Sequence, residues 1–509
     1  MQLKSQAIKI LQKLRSNSQK SLSSIADFIL KNKFISVFLG LYFVSITLIV
    51  LKAYFGFAMY VWDYGVEHQV MHNTAYGRIM QSSYEVDNYL GDHFSPIVIL
   101  FAPIYRIFPF GFTPLIFQNI CMVASLIAIY LIAKKRLNSD LLASFITVLF
   151  SIYPAVQGAI FFHYHPGTLA MPFFIWGIWA LIEKEKFRLG FALLAVASLA
   201  REEFGFSVGM VGLYYFLISK KKESLLIFAY GFLTSIVAIK YIQPIFRPLE
   251  DNDSLARYSH LGKDLWDILL SPIKRPKEWL KMFTDRSRFD YIIRLFQIFA
   301  FTPFLSGSII IIAPLVLLNL ISTTDLQRSG SFHYDTIIAL GIVYSFILSL
   351  EKIINWLNNY FNNSEEIKKS ELKYLKPLTS KINGLLIILL ILPFGFAGLI
   401  SNNSIVPGIL AKPGNFAILQ DLEKLKKEIP QNAEVAVDGK TGGYFAEFPN
   451  THYFPNCCGK TLDLNLVEYY VVYKPKVEWS DNNPQFFIDN ADKVELLKET
   501  EFFKVYKRK

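Results

Sequence analysis

Runs of about 20 apolar residues recur along this chain, and no other feature narrows its fold as much. Hydrocarbon offers the backbone no hydrogen-bond partner, so a segment that crosses a bilayer must pair its own N–H and C=O groups. About 20 apolar residues in a helix span the hydrocarbon layer. Spans are placed on runs that approach or reach this length, at about 33–54, 113–133, 139–160, 168–182, 225–243, 289–304, 306–322, 335–350 and 383–401. Charged residues make up only 18% of the chain, against about 25% in soluble domains. The expected class is an α-helical polytopic membrane protein.

The sides follow from Lys and Arg. A formal charge of +11 would suggest nucleic acid in a soluble protein, but here the cations cluster between apolar runs and no RNA-binding motif accompanies them. They read as positive-inside orientation signals, and nucleic acid is excluded as a partner. Residues 1–30 alternate Lys and Arg with Ile and Leu, a basic amphipathic segment for the cytoplasmic membrane face. The run 95–109 is short for a crossing. If it crossed, Lys134, Lys135 and Arg136 would face the side opposite the basic N-terminus. Residues 55–112 are therefore expected to form one outer loop with a short membrane-hugging helix. The run 188–219 is interrupted by "AREEF" at 200–204, which reads as two short helices meeting at Arg201, Glu202 and Glu203. In total about eleven spans are expected, with the N-terminus inside, the basic loop 352–382 inside and the C-terminus outside.

From about 402 the character changes. "LQDLEKLKKEIP" is an amphipathic helix, "AEVAVDG" a strand entering a turn, and "VEYYVVYK" and "FFKVYKRK" are strands. The expected layout is a cytoplasmic segment 1–30, a transmembrane part 31–401, and an extracytoplasmic α/β domain 402–509. No phosphate-cradling glycine loop is present, and the adjacent Cys457 and Cys458 offer neither a metal spacing nor a disulfide framework.

The densest polar stretch is "DYGVEHQVMHNTAYGRIMQSSYEVDNYLGDHFSP", residues 63–96. Asp63 follows the first span at once, so its depth is set near the membrane surface, where a carboxylate can act as a general base or hold a metal. Glu67, one helical turn on, shares its face, and Gln69 adds hydrogen-bonding capacity. Asp92 and His93 precede a helix start at Ser95 and Pro96. The triplet Arg201, Glu202 and Glu203 places charge where it is expensive and hence functional by default. Lys240, Arg257, His260, Arg328 and His333 fall at outer ends of spans or in outer loops, suited to a phosphate or pyrophosphate group. His163 and His165 in "FHYHP" offer an HxH spacing for metal. The bland alternatives are capped, solvated loop charges and lipid-headgroup contacts.

The ordered run of "DYGVEHQVMHNTAYG", "HFSP", "HYHPGTLAMP", "AREEF", "ARYSHLG" and "RSGSFHY" resembles a bacterial family of multi-pass membrane proteins with a domain of unknown function. Trp62 and Glu203 stand where that family often has Phe and Asp. The family in turn resembles the GT-C glycosyltransferases, such as protein mannosyltransferases and lipid A aminoarabinose transferases. That resemblance implies a GT-C-like fold in a bacterial cytoplasmic membrane and a polyprenyl-phosphate sugar as donor. The acceptor would be a glycan, a lipid or a protein. It implies Asp63 as the acidic residue of the first loop, acting on the acceptor, with Asp92 or His93 in support. Arg201, Arg257, Arg328 or His333 would hold the phosphate, with Glu67, Gln69, Glu202, Glu203 and Tyr334 around the substrate. A divalent metal, Mg or Mn, is an option at Asp63, Asp92, His163 or His165. Rival readings are a transporter or flippase of a lipid-linked or anionic solute, and a non-catalytic protein of the same fold.

Overall fold

The computed structural model of the chain describes residues 26–84, 87–247, 256–263, 265–330, 332–363, 388, 391–392, 414–454, 456–457, 460–461, 465–475 and 484–509. Most of the expected amphipathic segment 1–30, most of the basic loop 352–382, nearly all of the expected span 383–401, and Cys458 lie outside the described residues. The chain forms two compact units, 1–48 and 49–509. The described part of the first is helical.

Among the described residues, five helices are long and apolar enough to cross a membrane. They are α1 (Lys33–Phe55), α4 (Thr113–Leu137), α7 (Pro166–Ile178, continued as a wider turn to Glu183), α10 (Ser224–Val237, continued to Phe246) and α15 (Thr336–Asn363). The pair α5 (Asp140–Ser151) and α6 (Pro154–Phe161) makes a sixth if it counts as one span, bent by 51° where Pro154 interrupts the ladder. Thus the expected single helix at 139–160 is two. Residues 95–109 hold one short helix, α3 (Val98–Ile107), after the loop helix α2 (Val66–Ala75). The run 188–219 is two helices, α8 (Phe187–Ala197) and α9 (Phe204–Ser219), separated at Arg201–Glu203.

The runs at 289–304 and 306–322 differ from the single helices expected. After α11 (Leu265–Lys274) and α12 (Pro276–Thr284) come α13 (Arg286–Phe296), three 3₁₀ turns, and α14 (Ala313–Ile321), each shorter than a crossing. Ala300 and Phe301 both take left-handed backbone, with φ of 50° and 55°, and so end the helix that apolar length alone suggests.

Packing follows composition. Along α15 every residue from Ile337 to Leu350 is buried, as expected of a helix that is apolar all round. Gly205 of α9 and Gly231 of α10 bring two backbones together: a Cβ on Gly205 would stand 2.4 Å from the Gly231 carbonyl oxygen.

At the C-terminal end, α16 (Phe416–Lys426) is capped by the Asn415 side chain, which accepts from the Ala417 N–H. Next come β1 (Val435–Val437), β2 (Thr451–Tyr453), the small antiparallel pair β3 (Asn456–Cys457) and β4 (Lys460–Thr461), β5 (Tyr469–Tyr473), α17 (Pro484–Asp489), β6 (Val494–Glu499) and β7 (Phe503–Arg508). The five-stranded sheet runs β2-β1-β5-β7-β6. Strand β1 is parallel to both neighbours, and β5, β7 and β6 pair antiparallel. Its middle strand, β5, is buried along its whole length.

Candidate active site

Between α1 and α2 the backbone makes a sharp break. Trp62 is extended (φ −66°, ψ 134°), and Asp63 sits at φ 65°, ψ −76°. That is the rarer γ-turn form, which few non-glycine residues adopt. Such conformations cost about 1–3 kcal/mol and persist only where their surroundings enforce them.

The C-terminal segment "DGKTGGYF" (438–445) does the enforcing. The Val61 N–H donates to the Gly439 carbonyl at 2.7 Å, and the Tyr84 hydroxyl to the Gly442 carbonyl at 2.9 Å. Tyr444 donates to the Tyr54 carbonyl at 2.8 Å and accepts from the Met59 N–H at 3.1 Å. The backbones touch at Gly65 and Gly442: a Cβ on Gly442 would lie 2.9 Å from the Val61 side chain, and one on Gly65 would lie 2.9 Å from the Gly442 oxygen. The segment is itself fixed by buried Asp438, which accepts from the N–H groups of Lys440, Thr441 and Tyr473 and from the Thr441 hydroxyl.

Asp63 opens onto a cavity of about 180 Å³ lined by Trp62, Asp63, Val66, Glu67, Tyr89, Asp92, His93, His165, Arg257, His333 and Tyr334. On its inner side His165, the residue before α7, lies between two carboxylates. Its Nε2 is 3.3 Å from Asp63 Oδ1 and its Nδ1 2.9 Å from Glu67 Oε1. Glu67 also accepts from the Tyr89 hydroxyl at 2.8 Å. The His165 ring faces the His333 ring, with centroids 3.3 Å apart.

The ionisation states follow from these contacts. Burial alone would lower His165, but the charges and hydrogen bonds of Glu67 and Asp63 outweigh it and raise the imidazole above its ordinary range. Burial alone would raise Asp63, but the hydrogen bond and charge of His165, with His163 and His93 behind, hold it below the ordinary carboxylate value. Burial wins at Glu67, whose carboxyl is raised. Asp63 is also the reachable acid, with 31% of its side chain exposed against 2% for Glu67. It is an ionised acceptor facing open space.

The opposite wall is a second ionic group. His93 Nδ1 is 3.1 Å from Glu202 Oε1, and the Phe94 N–H donates to Glu202 Oε2 at 3.0 Å. Arg201 is buried, with Nε 3.0 Å from Glu203 Oε1 and a terminal nitrogen 3.3 Å from His93 Nδ1. Arg201 Nη1 has no hydrogen-bond partner among the described residues. Asp92 has Oδ1 3.6 Å from Arg247 and Oδ2 3.6 Å from His93 Nε2. Arg257 lines the cavity with its guanidinium carbon 5.8 Å from the Tyr334 ring centroid, and no carboxylate among the described residues pairs with it.

Eight of the residues singled out from sequence thus meet at one cavity: Asp63, Glu67, Asp92, His93, His165, Arg257, His333 and Tyr334. Others do not line it. Gln69 uses both ends of its amide on Ser82, Ser83 and the Phe448 carbonyl, so it ties the loop to the C-terminal segment. Arg328 is buried on the Asp325 carboxylate and the Ser322 carbonyl of its own loop. Arg201, Glu202 and Glu203 stand behind His93. His163 packs against the rings of Tyr60, Tyr64 and Phe162. Lys240 lies over Trp266, and His260 takes an Arg275 hydrogen bond on its carbonyl. Sequence reasoning missed Tyr89 and the 438–445 segment. The only signal for the latter was a strand entering an Asp-Gly turn.

Together these elements define a helical membrane protein whose first loop, braced by the segment 438–445, borders a polar cavity. The chain belongs to the family described as "Predicted membrane protein (DUF2079)", which matches residues 55–446. No curated protein matches it. Among solved structures, "Crystal Structure of ArnT from Cupriavidus metallidurans in the apo state" aligns with 93% of this chain and 98% of that chain, at 12% identity and a TM-score of 0.44. A likeness of that size carries no inference about fold or chemistry.

Proposed function

We propose that the protein is an integral membrane glycosyltransferase that moves a sugar from a polyprenyl-phosphate carrier to an acceptor at the outer face of the cytoplasmic membrane. In this reading residues 31–401 form the transmembrane GT-C-like part, residues 402–509 lie outside, and residues 1–30 lie on the cytoplasmic face. One observation supports it above the rest. A strained, ionised and reachable carboxylate, Asp63, shares a cavity with Arg257, a cation with no carboxylate of its own among the described residues.

The chemistry assigned to these groups is a displacement at the anomeric carbon. Asp63 accepts the hydrogen bond of the acceptor's hydroxyl and takes its proton as the new carbon–oxygen bond forms. The bond from the anomeric carbon to the carrier phosphate breaks, and polyprenyl phosphate leaves with the electron pair. The negative charge that develops on that phosphate is met by Arg257, with Tyr334 beneath it. His93 and Asp92 border the same space, and Glu202 and Arg201 hold His93 in place.

Purified protein in vesicles carrying a labelled polyprenyl-phosphate sugar tests this. The expected result is release of polyprenyl phosphate with label on an acceptor. Arg257→Ala should weaken carrier-phosphate binding about tenfold or more, since a charge-assisted hydrogen bond contributes roughly 1.5–3 kcal/mol. Binding and translocation of the intact carrier, with the sugar–phosphate bond never broken, would overturn the reading in favour of a transporter.

A further inference from the structure

We propose that Asp63, His165 and His333 bind one divalent transition cation of the zinc class, with Glu67 orienting His165. This deepens the transferase reading, because the ion would stand beside the carboxylate assigned to the acceptor.

The donor atoms of these three residues all lie within 4.8 Å of one another. The 3.3 Å between His165 Nε2 and Asp63 Oδ1 matches the spacing of two donors on one tetrahedral ion with bonds near 2.0–2.1 Å. A second observation points the same way. His333 is only 6% exposed, yet its Nδ1 has no hydrogen-bond partner among the described residues. Buried polar atoms in native proteins are almost always paired, so an open nitrogen on a ring stacked against His165 and grouped with Asp63 calls for a ligand. A third concerns what stands behind. Metal-bound histidines usually turn their other nitrogen to a carboxylate, and His165 Nδ1 lies 2.9 Å from Glu67 Oε1, close enough to pair once the ring turns toward an ion, with Tyr89 steadying that carboxylate. The face-to-face rings of His165 and His333 must fan apart to share an ion, and the cavity beside them leaves the room.

The donor set also selects the metal. Two imidazoles and one carboxylate suit zinc and its neighbours, whereas Mg and Mn prefer oxygen donors. The residues therefore fit neither the expected metal nor the whole expected set. His163 is packed among rings, and Asp92 is flanked by Arg247 and His93. When bound, the ion would act as a Lewis acid and lower the pKa of an oxygen group on it.

Metal content and cobalt spectroscopy of the full chain, purified without a histidine tag, test the proposal without any transfer assay. The protein is stripped with chelator, refilled with Co²⁺ or Zn²⁺, and compared in the presence of excess Mg²⁺. Expected are one equivalent of Co²⁺ with intense visible d–d absorption, displacement by Zn²⁺ and none by Mg²⁺. His333→Ala and His165→Ala should lose the stoichiometric site, and His163→Ala should keep it. Should an alanine variant fail to fold, Glu67→Gln serves instead, with a 10–100-fold loss in metal affinity expected for an outer partner. Absence of stoichiometric binding to the wild type, or undiminished binding to folded His333→Ala or Glu67→Gln, overturns the metal site. Either result leaves the transferase reading to its own assay.

Discussion

Helix α7 joins two buried ionic clusters that behave in opposite ways. His165 precedes its start and Glu183 ends its continuation, 18 residues or roughly 27 Å later at 1.5 Å per residue. Glu183 is wholly buried, and it has a full set of partners. Both its oxygens accept from Arg136 Nε, at 2.8 and 2.9 Å. Lys135 Nζ stands 3.2 Å from Oε2, and Arg136 reaches on to Glu351 of α15 at 3.4 Å. The result is a clasp across α4, α7 and α15. At the other end the cluster around Asp63 has a cavity, a strained backbone, and atoms on Glu67 and His333 that have no hydrogen-bond partner among the described residues. Charge in an apolar bundle is costly wherever it lies. Where every atom is satisfied, the group holds helices together. Where atoms are left open beside a void, the group awaits a ligand.

That contrast is broken most directly at Asp63. Asp63→Asn keeps size and hydrogen bonding, and Asn tolerates positive φ, so the fold should be unaffected. Transfer should fall by about 10²–10⁴-fold, the usual worth of a positioned general base. Unchanged turnover, or a large drop in unfolding temperature with normal specific activity, would place Asp63 with the clasp. Glu183→Ala should do the reverse. Removing Glu183 leaves the partly exposed Arg136 with Glu351 alone and is expected to cost about 1–3 kcal/mol of stability. Thermal unfolding in detergent reads this, and turnover of the fraction that stays folded should be near wild type. A smaller effect, up to about 10²-fold in kcat, is expected for Gly442→Ala, because a Cβ there drives into Val61 and displaces the Asp63 turn. Carrier binding should survive. Loss of binding and turnover together would mean that the 438–445 segment shapes the whole cavity.

How much of this could be read from the chain follows the same division. Asp63, Glu67, Asp92, His93, His165 and His333 were legible because local signals expose them: a polar loop between apolar runs, an HxH spacing, a histidine before a span. The helices of high apolar length were legible too. Gln69 and Arg328 look alike in sequence to residues that line the cavity, and only tertiary partners separate them. The segment 438–445 lies more than 370 residues from Asp63, and it contributes backbone contact and the Tyr444 hydroxyl, neither of which marks a site in sequence. Broken helices at 297–311 were hidden because apolar length says nothing of the left-handed residues Ala300 and Phe301. Glu183 falls just past the expected span 168–182 and carries no local signal, though Arg136 makes it the centre of the clasp.

The smallest expected effect tests whether His93 belongs with the open cluster or with a clasp of its own. Its partner Glu202 is pulled down to about 2 from an ordinary 4.5: burial opposes this, but the charge and hydrogen bond of His93 and the charge of Arg201 prevail. His93 is raised above its ordinary 6.5, since Asp92 and Glu202 overcome burial and Arg201. The two signs set a window. The carboxylate's contribution is fully present above about 4.5 and is lost as pH falls toward 2. The imidazolium's contribution is fully present below about 6.5 and is lost as pH rises through its raised folded value. The pair should therefore stabilise the protein most between about 4.5 and 6.5. Unfolding temperature measured against pH for the wild type and for Glu202→Gln should show a difference that peaks in that window and narrows on both sides. A difference independent of pH would mean that Glu202 acts through the Phe94 N–H alone, as a cap on the loop, and that His93 is free to serve the cavity.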